Sequence, residues 1–148
     1  MKNFCIFIFI ILTFALLSSC ASSNYVTSNS ADITKYKYVV FGKEETGDTE
    51  LADIVLLVQN EIANKFIVIS AQKGLELLNN GEFILTPSIK VKSEKWDGGH
   101  TYITINFYDY ETNQSIAVIK SSGIGLTVSH DQKIALNAIR KKLNTIFK

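Results

Sequence analysis

Between Tyr102 and Tyr108 the chain alternates without a break: Ile103, Ile105 and Phe107 interleave with Tyr102, Thr104, Asn106 and Tyr108. Successive side chains of a strand point to opposite faces, so this run predicts a sheet with one apolar and one polar face. The apolar face needs cover, and two amphipathic segments supply it. Leu51, Ile54, Val55, Val58 and Ile62 recur at helical spacing; Asp48 is the expected N-cap, and the end falls near Lys65. Leu136, Ile139, Leu143, Ile146 and Phe147 form a second stripe. Ser129 with Gln132 three residues on reads as its capping box, and Arg140, Lys141, Lys142 and Lys148 favour its carbonyl end.

The remaining body fills in around these elements. Lys35–Phe41, rich in aromatic and β-branched residues, predicts a strand ending at Gly42. Phe66–Ile69 is too short for a helix and predicts a buried strand, paired in parallel through a right-handed crossover. Ala71–Asn80 is ambiguous, a short helix being one option before the turn signal Asn79-Asn80-Gly81. Phe83–Val91 predicts a strand in which Pro87 requires an edge or a bend. Asp97-Gly98-Gly99 marks a hairpin turn, and Thr112-Asn113-Gln114 turns into a last strand from Ser115. Gly123 and Gly125 read as a bulge or a close approach. The expected order, β-α-β-(α)-β-β-β-α, is an α+β fold: a mixed sheet of about five strands with two main helices packed on one face. One domain, 35–148, accounts for it.

The amino end has a different composition. A short basic start, Met1-Lys2-Asn3, precedes fourteen residues, Phe4–Leu17, that are apolar but for Thr13. A spanning helix needs about 20 residues, whereas this length suits the core of a secretory signal. Leu17-Ser18-Ser19-Cys20 follows, and it resembles the lipobox of bacterial lipoproteins. The resemblance implies cleavage between Ser19 and Cys20, so that 1–19 is a signal peptide, and diacylglycerol and palmitate-type acylation at Cys20. Cys5 leaves with the signal, so no disulfide is expected. The polar stretch 20–34 reads as a flexible tether of roughly 20 Å root-mean-square span. Ala21 stands where an Asp would resemble an inner-membrane retention signal, and the tether lacks an acidic cluster. Together these place the expected domain on the periplasmic side of an outer membrane.

In pattern, about 110 residues of the body resemble small α+β envelope lipoprotein domains of the TolB amino-terminal and curli-secretion types. Gly81-Glu82-Phe83-Ile84-Leu85-Thr86-Pro87, Asp109-Tyr110-Glu111-Thr112 and the helix after Gly123-Ile124-Gly125 carry the likeness. No nucleotide, metal or pore-forming signature accompanies it. Lys plus Arg total 15 against 14 Asp plus Glu, so a basic nucleic-acid surface is not expected.

Chemistry is sparse. Ser129-His130-Asp131 holds the residue types of a hydrolytic triad, but side by side, where capping is the simpler role. His100 and His130 are too few for a zinc site, so neither metal nor cofactor is expected. Glu44-Glu45 and Asp109 with Glu111 read as solvated turns. Trp96 at the hairpin tip and the tyrosines Tyr102 and Tyr108 on the polar face are the expected partner-binding residues, for a protein or a glycan. The sequence therefore predicts a non-catalytic binding or scaffolding lipoprotein. Its alternatives are a small periplasmic hydrolase using His100 or His130, and a subunit of an envelope assembly.

Overall fold

The structure, a computed structural model, describes residues 20–29, 31–42, 49–94, 99–125 and 127–147. Strand β1 (Cys20–Thr27) and a 3-10 turn (Ile33–Lys35) lead into β2 (Tyr36–Val39). Helix α1 (Thr49–Ala63), β3 (Ile67–Val68) and helix α2 (Ala71–Asn79) follow. Then come β4 (Phe83–Glu94), β5 (His100–Asp109), β6 (Ser115–Ile124) and helix α3 (Val128–Ile146). The described residues form a six-stranded sheet in the order β1-β6-β5-β4-β2-β3. Strands β2, β3 and β4 pair in parallel and the β4-β5-β6-β1 half is antiparallel, so the sheet is mixed and the fold α+β.

The alternation at Ile103–Phe107 does what it predicted. These three residues are fully buried, and with Val39, Leu85, Ile89 and Ile119 they meet Ile54, Val55, Val58 and Ile62 of α1 and Ala135, Ile139 and Leu143 of α3. Phe66, Phe107 and Phe147 close one end of this core edge to face, with centroids 4.7 and 5.2 Å from the Phe147 ring. The short helix is real. Ser70 Oγ accepts from the Lys73 amide, and Gly81, at φ 79°, ends it as the left-handed residue. Gly74 lets α2 lie against Val40 and Ile84 on the opposite face, so the third helix covers one corner there.

Four details differ from expectation. Cys20–Thr27, expected to begin a tether, pairs in antiparallel register with β6 over its whole length, from Cys20 opposite Ile124 to Thr27 opposite Ala117. Its residues are too polar to announce a strand, but the β6 edge offers unpaired backbone groups that any extended segment satisfies. Strand β3 lies at the far edge with Ile67 57% exposed, and only the neighbouring Phe66 is buried. The α3 cap is Thr127, whose hydroxyl accepts from His130 N at 3.2 Å, so the helix starts before Ser129 and no capping box forms there. The register shift falls at Phe107/Tyr108 rather than at Gly123. Pro87 meets its requirement in an unexpected way: β2 pairs with β4 only from Phe83 to Leu85, which leaves that side of Pro87 without a ladder partner.

Candidate functional site

Among the described residues, the face away from α1 and α3 is covered by α2 at its Ile84 corner and by no other helix. Beyond that corner the registers fix which side chains share it. Lys90, Thr104, Lys120 and Asn24 form one row across β4, β5, β6 and β1. Lys92, Tyr102, Ser122 and Ser22 form the next, and Glu94, His100 and Ile124 the last, with the Cys20 backbone in register beside Ile124. On the other side of the lysine row lie Ser88, Asn106, Val118 and Val26.

The groups on this face are held by one another. Asn106 Nδ2 donates to Tyr108 Oη at 2.6 Å while its Oδ1 accepts from Ser115 Oγ at 2.7 Å. His100 Nδ1 and Tyr102 Oη lie 3.2 Å apart, and Ser22 and Ser122 share a hydrogen bond of 3.0 Å between β1 and β6. Lys92 is occupied by Glu94 at 2.6 Å. That contact holds the Glu94 carboxyl below and the Lys92 ammonium above their ordinary ranges, hydrogen bonding leading in both. Lys90 and Lys120 are exposed and, among the described residues, in no ion pair. With strands about 4.8 Å apart, their backbones stand about 10 Å apart with Thr104 between them. The arrangement can do two things: stack flat groups on Tyr102, and hold an anion between two lysines.

Of the expected partner-binding residues, Tyr102 (38% exposed) and Tyr108 lie on this face, six residues apart along β5. Trp96 lies outside the described residues, as do Ser19, the signal segment and Glu44-Glu45. Cys20 is the first residue of β1. The histidines are not brought together: His100 faces the open side, and His130 lies in the first turn of α3, which packs on the other. The Asp131 carboxylate accepts no hydrogen bond among the described residues, so Ser129, His130 and Asp131 do not join as a triad would. Three surface hollows of about 290, 360 and 210 Å³ include neither histidine in their walls. Asp109, expected in a solvated turn, is instead buried and fully hydrogen-bonded. Lys90 and Lys120 carry no signal in the sequence because their facing depends on register across three strands, which one sequence does not display.

No protein-family model matches the chain, and no curated protein matches it in sequence. Its fold is similar to solved structures. Two are PelC dodecamers from Paraburkholderia phytofirmans, one of them a point variant, at 14% identity and TM-scores of 0.52 and 0.51; each alignment covers 86% of this chain and nearly all of the other. Another is a PDZ domain protein from Parabacteroides distasonis, at 8% identity and TM-score 0.51, where 88% of this chain aligns with 38% of that one. At these identities the likeness is one of fold.

Proposed function

We propose that this chain is an envelope lipoprotein, anchored through an acylated Cys20, that acts without catalysis by holding another envelope component on its open sheet face. The observation that carries the reading is the register of β1. Cys20 begins the edge strand of the same sheet whose free face carries Tyr102, Lys90 and Lys120. Because β1 starts at Cys20, an anchored domain has no slack, and the sheet rises directly from the lipid surface. At about 3.3 Å per residue, Tyr102 then stands about 7 Å and Tyr108 about 26 Å beyond the anchoring row. Two lysines that form no ion pair among the described residues, beside a tyrosine, favour an acidic partner, protein or glycan, over a basic one. The periplasmic face of an outer membrane remains the proposed address.

Two measurements test this. Cys20→Ser is expected to abolish labelling by radioactive palmitate and to move the protein from the membrane fraction to the soluble one. Retention in the membrane with no label in the wild type would remove the anchor. A photo-crosslinker at Thr104 in living cells is expected to capture a single adduct, and Lys90→Glu with Lys120→Glu should reduce its yield at least tenfold, about 1.4 kcal/mol of binding. An unchanged yield would show that this face is not the one used.

A second reading, a subunit of an envelope assembly, draws on a specific feature. The sheet ends in unlike edges, β1 on one side and the two-residue β3 on the other, and the PelC structures of similar fold are dodecamers. Unlike edges meeting head to tail generate rings when the rotation closes. Light scattering of the full chain in detergent decides it: a dodecamer-sized particle supports the ring, and a monomer leaves the tethered module.

A further inference from the structure

Four side-chain oxygens buried at one end of the helix-covered face have no hydrogen-bond partner: Ser93 Oγ, Thr101 Oγ1 and both carboxylate oxygens of Asp131. Asp131 and Thr101 are wholly inaccessible to solvent. The four converge. Ser93 and Thr101 face each other across β4 and β5, and Thr101 is in turn paired with Gly123, on which the first turn of α3 rests. Two glycines border the carboxylate, and a third borders the main chain of the same residue. A methyl group at Gly99 would strike Asp131 Oδ2, one at Gly125 would lie 2.7 Å from Oδ1, and one at Gly123 would strike the Asp131 carbonyl. Gly99 also sits at φ 86°, where other residues are strained. The Glu94 carbonyl lies 3.8 Å from that same point at Gly99.

A carboxylate taken fully out of water needs a compensating charge. The amide groups of the α3 amino end favour it by their dipole but do not hydrogen-bond it. His130 Nδ1, which also borders Gly125, makes no bond to it. We infer that this pocket binds one calcium ion, although the sequence pattern predicts no metal. The donors are all hard oxygens: the Asp131 carboxylate, two hydroxyls and the Glu94 carbonyl. Such a set suits calcium, which accepts irregular geometry and neutral oxygens. Magnesium demands a near-ideal octahedron, and transition metals favour imidazole or thiolate. Among the described residues no three His, Cys, Asp or Glu side chains gather, so a single charge makes this a weak site. Its affinity belongs in the range of extracellular modules, on the order of 10⁻⁴–10⁻³ M. The bound ion ties β4 and β5 to the first turn of α3.

The test uses the full chain in detergent, stripped with EDTA, with calcium, magnesium or sodium chloride added at matched ionic strength. Calcium at ten times its dissociation constant is expected to raise the melting midpoint by roughly 4–8 °C. Native mass spectrometry should show one calcium per chain. Asp131→Asn should lose both responses, and Thr101→Val should weaken them. An equal shift from all three salts, or no shift and no bound calcium in the wild type, overturns the site and assigns these oxygens to ordered water. Because the wild type alone decides between these outcomes, a poorly folding variant does not obscure the result. Palmitate labelling and crosslinking at Thr104 would be unaffected by either outcome.

Discussion

Alanine at Gly123 is expected to lower the stability of the fold by about 2–4 kcal/mol, at the upper end of the range for overpacking. Gly123 lies in an interior strand, paired with Thr101 on one side and Ala21 on the other, so its backbone has no freedom to retreat. The added methyl group would strike the Asp131 carbonyl, approach Ala135 N to 2.7 Å and touch Ile134 Cβ at 3.0 Å. Two of those three atoms are backbone of α3, so no rotamer change relieves the clash. The helix is fixed as well: Thr127 caps its start, and Ala135, Ile139 and Leu143 are locked in the core. The measurement is the urea midpoint at unchanged m-value. Gly42→Ala is the control, since nothing lies within 4 Å of its Cβ position, and it should stay within about 0.5 kcal/mol of wild type. A Gly123→Ala variant as stable as Gly42→Ala would mean that α3 does not rest on β6 as described.

The same glycine shows what one sequence displays and what it hides. Gly123-Ile124-Gly125 reads correctly as close packing, because a glycine pair before a helix has few other uses, but nothing in the sequence says which helix turn comes down on it. The helical stripes of α1 and α3 and the alternation at Ile103–Phe107 are legible since each buries one face and repeats at its own period. Strand β1 is not legible: Ala21, Ser22, Ser23 and Asn24 have no apolar face, and the backbone edge of β6 recruits them. The expected anchor point and the tyrosine face read as separate features in the sequence; register alone joins them. Asp131 reads there as part of a capping tripeptide. Its burial depends on Gly99, beside β5, meeting Gly125, just past the end of β6, around one carboxylate, a tertiary fact with no local signature.

Asp109→Ala is expected to cost about 2–4 kcal/mol, because it strands several donors at once. Asp109 Oδ1 accepts from Thr112 N at 2.7 Å, Thr112 Oγ1 at 2.9 Å and Glu111 N at 3.1 Å, and Oδ2 accepts from Tyr36 Oη at 2.9 Å. The carboxylate thereby shapes the β5–β6 turn, in which Asn113 takes φ 56°, and ties it to β2 on the far side of the sheet. Burial alone would raise the pKa of Asp109, but the bonds from Thr112, Tyr36 and Glu111 outweigh it and hold the group below its ordinary 3.8. Its contribution is therefore complete above that value and lost as pH falls through the lower folded one. Tyr36 is shifted the other way, upward from 10, by burial first and by its bond to Asp109 second. A raised phenol contributes below 10 and loses that contribution as pH rises towards its folded value. The stability gap between wild type and Asp109→Asn should accordingly be flat from about pH 5 to 9 and narrow at both extremes, as urea midpoints across the range would show. A gap that stayed constant below pH 3 would mean that the charge on Asp109 plays no part in holding the turn.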